Sequence, residues 1–142
     1  MEASEILKMQ LKAFEGLMLT AVRDVGGVLT IGYGHTGKDV EEGDRISPYW
    51  AEELLKEDLG LVESQVRALK VARTQGQFDA LVSFVYNLGI GSLKRSNLLK
   101  VICNGGSRNQ IKTEFKKWVY AGGKKLKGLE KRREWEAKRF FE

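Results

Sequence analysis

Along the first fifteen positions apolar residues recur at spacings of four and three, at Leu7, Leu11 and Phe14. This is the stripe of a short amphipathic helix, with Glu15 at its end. Between Thr20 and Asp44 the texture changes. Val28, Leu29, Thr30, Ile31 and Tyr33 are strand formers, interrupted by Gly26, Gly27, Gly32, Gly34, Gly37 and Gly43, and the segment predicts a small antiparallel sheet with tight turns. Ser47-Pro48 then has the form of a helix start, with serine as N-cap and proline at the first helical position, where a missing N–H costs nothing. Trp50, Leu54, Leu55, Leu61, Val62 and Leu69 continue at helical spacing, and the helix is long enough to join two lobes. Gly60 counts against it, since glycine costs about 1 kcal/mol relative to alanine in a helix interior.

Thr74-x-x-Gln77 and Ser107-x-x-Gln110 are capping-box patterns, each opening a further helix. The first runs through Phe78, Leu81, Val82 and Val85 and stops near Asn87-Leu88-Gly89, where glycine suits a left-handed end. A helix from Leu93 to Ile102 closes at Asn104-Gly105-Gly106. Another, marked by Ile111, Phe115, Trp118 and Val119, ends at Gly122-Gly123. The last, from about Leu129 to Phe141, is amphipathic and strongly charged. These elements predict an α+β protein with one small N-terminal sheet and a helical C-terminal half.

Composition narrows this to one folded domain. The chain has 142 residues, 42% hydrophobic and 30% charged, with one proline and one cysteine. An intrachain disulfide is excluded, so packing alone holds the fold, and Cys103 reads as a small buried apolar residue. No apolar stretch reaches membrane-spanning length, and the N-terminal residues lack the apolar run of an export signal. Net charge is +5 but unevenly placed: residues 1–66 carry 6 basic and 13 acidic side chains, and residues 112–139 carry 11 and 4. A basic end suits nucleic acid, anionic lipid or anionic wall polymer equally well.

Special chemistry concentrates between Phe14 and Thr36. Glu15 at a helix end is followed nine residues later by Asp24 in a turn and fifteen later by Thr30 in a strand. Cleaving a glycosidic bond needs such a set: one protonated carboxyl group to release the leaving oxygen, and a second group that attacks or positions water. Phe14 and Leu17 predict apolar surroundings for the Glu15 carboxyl group.

This segment resembles the active-site signature of phage-type lysozymes (endolysins), in which Glu, eight residues, Asp, five residues and Thr lead into Thr-Ile-Gly-Tyr-Gly-His-Thr. Residues Thr30 to Thr36 meet that stretch without a mismatch. The resemblance extends to Gln77-Phe78-Asp79-Ala80-Leu81, to Phe84 with Tyr86-Asn87-Leu88-Gly89, to Trp118, and to Gly128-Leu129 followed by Lys131-Arg132-Arg133 and Glu136. It departs beside Asp24, where Val22 stands at a position often held by Tyr and Val25 at one often held by Pro.

The resemblance implies a lysozyme-like domain over 1–142, with a sheet-containing lobe at about 12–60 and a helical lobe of about 1–11 and 61–142. It implies hydrolysis, with inversion, of the β-1,4 bond between N-acetylmuramic acid and N-acetylglucosamine. Glu15 would be the general acid, with Asp24 and Thr30 positioning the attacking water, and no metal or cofactor. Thr36, Tyr86 and Asn87 become substrate-contact candidates. One of Lys131, Arg132 and Arg133 would pair with Glu15, Arg132 being assigned beside the site, and His35 would be structural, paired with an acid. The implied partner is bacterial peptidoglycan, met by a monomer that stays in the host cytoplasm until a separate membrane-permeabilising protein releases it. The basic end would hold it to anionic wall polymer or membrane, with no specific nucleic acid bound.

Rival readings are weaker. Gly32-x-Gly34-x-x-Gly37 matches a dinucleotide fingerprint literally, but no helix is predicted after it. Asp39, Glu41, Glu42 and Asp44 lack calcium-loop spacing and its closing Glu. Two alternatives stand beside hydrolysis: a lytic transglycosylase, which the presence of both Asp24 and Thr30 disfavours, and a non-enzymatic module binding nucleic acid or membrane through Lys116, Lys117, Lys124, Lys125, Lys127, Trp118 and Tyr120.

Overall fold

In the computed structural model, which describes residues 1–142, Ser4 opens helix α1 (Glu5–Glu15) by accepting the Leu7 N–H on its hydroxyl at 3.1 Å. Gly16, with φ +70°, ends it. Three strands follow, β1 (Met18–Arg23), β2 (Leu29–Gly32) and β3 (His35–Thr36), paired antiparallel in that order. Ser47 caps α2 (Pro48–Leu69) through the Trp50 N–H, with Pro48 at its first turn. The helical half then comprises α3 (Gln75–Leu88), α4 (Ile90–Arg95), α5 (Asn97–Cys103), α6 (Arg108–Lys116) and α7 (Lys127–Arg139), with strands β4 (Tyr120–Ala121) and β5 (Lys124–Lys125) between α6 and α7. The fold is α+β.

The main core lies in the helical half. Residues Phe78 to Val85 of α3 are all buried, so this helix is apolar nearly all round and is wrapped by its neighbours. Leu7 and Leu11 of α1 and Leu59, Val62 and Val66 of α2 close over it. The buried carboxylate on α3, Asp79, is satisfied: it accepts from the Ser4 N–H and hydroxyl, from Gln75 and from Arg139, tying both ends of the chain to the middle of the core.

Several sequence expectations are corrected. The buried stripe of α2 is Ala51, Leu55, Leu59, Val62 and Val66, whereas Trp50 and Leu61 are exposed. Only the first set keeps the four-and-three spacing of one face. The stretch from Leu93 to Ile102 is two helices, because Ser96 leaves the helical conformation and caps α5 through the Leu99 N–H. Trp118 and Val119 lie beyond α6. Gly122 and Gly123, with φ +57° and +76°, form the two-residue turn of the β4–β5 hairpin rather than a helix stop, a turn that demands positive φ at both positions. A second small sheet therefore exists. Gly89 does end α3, with φ +88° but an extended ψ of 154° in place of the left-handed pair. The Ser107–Gln110 capping box is complete, while Gln77 reaches back to the Arg73 N–H one residue before its cap. Cys103 is exposed at the end of α5. Arg132, Arg133 and Glu136 of α7 are buried, so its charged face is not wholly solvated.

Candidate active site

The sheet register decides which side chains share a face. Val22 pairs with Thr30 and Thr30 with Thr36, so these three line one face across β1, β2 and β3. Ile31 pairs with His35 on the other face, and both are buried. Thr30 and Thr36 thus stand together on the side away from His35. The Thr30 hydroxyl donates to the Val28 carbonyl at 3.1 Å.

Asp24 sits at the exposed turn between β1 and β2. Its N–H donates to the Val28 carbonyl, its own carbonyl accepts from the Gly27 N–H, and its Oδ1 accepts from the Val28 N–H, each at 2.9 Å. The turn is self-contained, and every bond that aims Asp24 comes from within five residues. Val25 and Val28 beside it are exposed.

Glu15 is held differently. As the last residue of α1 it lies at the negative end of the helix dipole, where a carboxylate is poorly placed without a compensating cation. Arg132 of α7 supplies one, donating from Nη1 to Glu15 Oε2 at 2.6 Å. The Arg132 guanidinium also donates to the Ser83 carbonyl at 3.1 Å and stacks over Phe14 at 5.1 Å. The apolar surroundings expected from Phe14 are therefore shared with a buried cation. Glu15's other oxygen, Oε1, faces the backbone of Gly34: a Cβ there would overlap Oε1 and stand 2.9 Å from the carboxyl carbon. Gly34 also has φ +78°, so both space and conformation require glycine at this position.

Behind Arg132 lies a charged group that the sequence reading named only as part of the resemblance, with no role. Glu136, fully buried, accepts from Ser83 Oγ at 2.6 Å and from Arg133 Nη2 at 3.2 Å, and lies 3.6 Å from Arg132 Nε. Arg133 Nε stands 2.8 Å from Glu136 Oε1, near enough for an ion pair but off the hydrogen-bond line. Burial pushes the Glu136 carboxyl up and the two arginines pull it down, with burial the stronger. The signal was present: Glu136 is four residues after Arg132 and three after Arg133, the spacing at which helical side chains meet.

His35 lies between two acids, with Nδ1 at 2.7 Å from Asp58 and Nε2 at 3.0 Å from Asp39. Burial lowers its pKa, but the two carboxylates raise it by more, so it stands above its ordinary value. Asp58, on α2, was not anticipated. Tyr86 and Asn87 at the end of α3 are half-buried and already engaged: the Tyr86 hydroxyl donates to the Tyr33 carbonyl at 2.6 Å, and Asn87 Oδ1 accepts from Arg133 at 2.7 Å. The acidic loop is likewise committed elsewhere, Asp39 to His35, Glu42 to Arg23, and Asp44 to the Glu41 N–H.

A family model described as phage lysozyme matches residues 12–136. The endolysin of Bacillus phage B103 is 47% identical over 134 residues, which make up 92% of this chain and 51% of that protein, so the chain spans about half the length of this relative. The endolysin of Acyrthosiphon pisum secondary endosymbiont phage 1 is 40% identical, with 100% of this chain and 99% of that protein covered. Among solved structures, the muramidase domain of SpmX from Asticaccaulis excentricus superposes with a TM-score of 0.84 at 32% identity, covering 99% of this chain and 98% of that one. On sequence and fold together, the chain belongs to the phage lysozyme family.

Proposed function

We propose that this chain hydrolyses the β-1,4 bond between N-acetylmuramic acid and N-acetylglucosamine of bacterial peptidoglycan, acting as a monomer and inverting the anomeric carbon. The observation that carries the proposal is the grip on Glu15. Because Arg132 donates to Oε2, an acid proton on this carboxyl group belongs on Oε1, the oxygen beside Gly34. One oxygen is thus fixed by a cation and the other carries the proton to the departing sugar oxygen, the task of a general acid in glycoside cleavage.

Asp24 and Thr30 serve as the water-positioning pair. Thr30 shares its face with Thr36, which makes the exposed Thr36 a fitting contact for the sugar chain. Asn87, its oxygen committed to Arg133, has N–H groups to offer an N-acetyl carbonyl. In this proposal the sheet of about 12–60 and the helices of about 1–11 and 61–142 are two lobes flanking the cleft.

The exposed side chains Lys116, Lys117, Lys124, Lys125 and Lys127 give the helical half a basic surface suited to anionic wall polymer or a membrane surface. Trp118 packs edge-on against Phe84 with ring centres 5.4 Å apart. It is therefore not free to stack on bases, which weakens the nucleic-acid alternative. No helix is long and apolar enough to cross a membrane.

The test is clearing of purified, permeabilised bacterial walls by wild type and Glu15→Gln, with circular dichroism confirming that both are folded. Clearing by wild type alone supports the assignment, and equal clearing by both overturns it. Product mass then separates hydrolysis, which adds one water per cut, from transglycosylation, which adds none.

A further inference from the structure

The two-residue connection between β2 and β3 and the first residue of β3 are pinned in succession, each to a different helix. The Tyr33 carbonyl accepts the Tyr86 hydroxyl of α3 at 2.6 Å, the Gly34 backbone abuts the Glu15 carboxyl group of α1, and the His35 ring is bonded to Asp58 of α2 at 2.7 Å. Lys12 of α1 lies over the Tyr33 ring at 5.6 Å. Gly34 is the wall against which Oε1 of Glu15 rests, so wherever this turn moves, the space available to that oxygen changes. Of the three pins, only the Tyr86 hydroxyl, from α3, bonds to the backbone next to Gly34.

We infer that Tyr86 is a positioning residue for the reaction, its hydroxyl holding the Tyr33–Gly34 turn against the Glu15 carboxyl group, and that it is not a sugar-binding side chain. This rests on Glu15 being the acid. The phenol has one proton to donate, and the Tyr33 carbonyl takes it. Burial, followed by the neighbouring charges of Asp58 and Glu15, pushes the Tyr86 pKa well up, so the group stays a donor throughout the working pH range. Only a single hydrogen bond distinguishes Tyr from Phe here, since the ring already packs on the core around α3. Loosening the turn lets Glu15 Oε1 leave its place while Thr36 stays paired with Thr30 and Asn87 stays bonded to Arg133. A misplaced catalytic group loses rate at the chemical step, and displacement by about 1 Å can cost on the order of a hundredfold.

The experiment measures kcat and KM on a soluble peptidoglycan oligosaccharide for wild type, Tyr86→Phe, Gly34→Ala and Glu15→Gln, each checked for folding by thermal melting. Tyr86→Phe is expected to lower kcat by about ten- to a hundredfold with KM within about twofold. Gly34→Ala displaces the same turn from the other side and should show the same split, which keeps the inference testable if Tyr86→Phe proves too unstable. A raised KM with unchanged kcat in Tyr86→Phe would make Tyr86 a sugar contact and overturn the inference, as would wild-type values for both constants. Activity retained by Glu15→Gln would instead remove the acid assignment itself, whatever Tyr86→Phe does.

Discussion

Glu15 and Asp24 are two carboxylates of one candidate site, held by different amounts of protein. Glu15 is set by distant parts of the chain: the end of α1, Arg132 117 residues away on α7, and the Gly34 backbone in the sheet. Asp24 is set by its own turn, on an exposed loop, with no partner further than Val28. The contrast fits the two tasks proposed for them. A proton donor must keep one oxygen free and aimed, which takes rigid surroundings, whereas a residue that handles water can sit in solvent on a short turn.

Five substitutions and one pH profile would break or sharpen this contrast. Glu15→Gln should have the largest effect, a loss of about 10³-fold or more in wall-clearing rate with the melting temperature little changed. Asp24→Ala should follow at about 10²-fold by the same assay, with stability nearly intact because its turn is exposed. Gly34→Ala should cost about 2 kcal/mol in denaturant unfolding, from the positive φ and the overlap with Glu15, besides its loss of rate.

The pH profile tests the His35 pin. Because the folded His35 pKa is raised, its contribution is complete below about pH 6.5 and is lost as pH climbs through the folded value. Asp39 is lowered by its bond to His35, so its share is present above about pH 3.8 and lost as pH falls through the folded value. Burial raises Asp58 despite His35, which sets a cost on its charged form and leaves the window to the other two. The melting temperature should therefore be highest between about pH 4 and 6.5, falling by roughly 2–4 °C on the alkaline side, and His35→Ala should flatten that fall.

The smallest effect is a gain. Val25 is the second residue of the Asp24–Gly27 turn and is exposed, a place that suits proline. Val25→Pro should stabilise by about 0.5 kcal/mol in thermal unfolding and raise the clearing rate by less than about twofold, drawing Asp24 closer to the rigidity of Glu15.

Local signals were legible in the chain and nonlocal ones were not. Ser47 and Ser107 cap their helices as read, because a cap is a bond across three residues. Strands β2 and β3 form inside the Thr20–Asp44 stretch where strand formers alternate with glycine, whereas β1 opens earlier, at Met18, and carries no glycine. The misread places are those where a neighbour distant in sequence decides. Trp50 and Leu61 fit a loose helical spacing, but the face covered by β2 and α3 runs through Ala51, Leu55 and Leu59. Gly122-Gly123 stops a helix or turns a hairpin with equal ease until Tyr120 finds Lys125.

For the candidate site, the sequence by itself determined local placement: the order and spacing of Glu15, Asp24, Thr30 and the stretch to Thr36 put a carboxyl group at a helix end and a threonine in a strand. It also narrowed the basic partner of Glu15 to three neighbours on one helix. Tertiary structure alone decided that Arg132 faces Glu15 while Arg133 turns to Asn87 and Glu136, since adjacent residues on a helix point about 100° apart and only packing fixes the rotation. The same holds for the Tyr86–Tyr33 bond and for Gly34 against Glu15. Spacing along the chain carries the information for contacts made within a turn or two of backbone, and contacts between elements depend on how the helices and sheet pack.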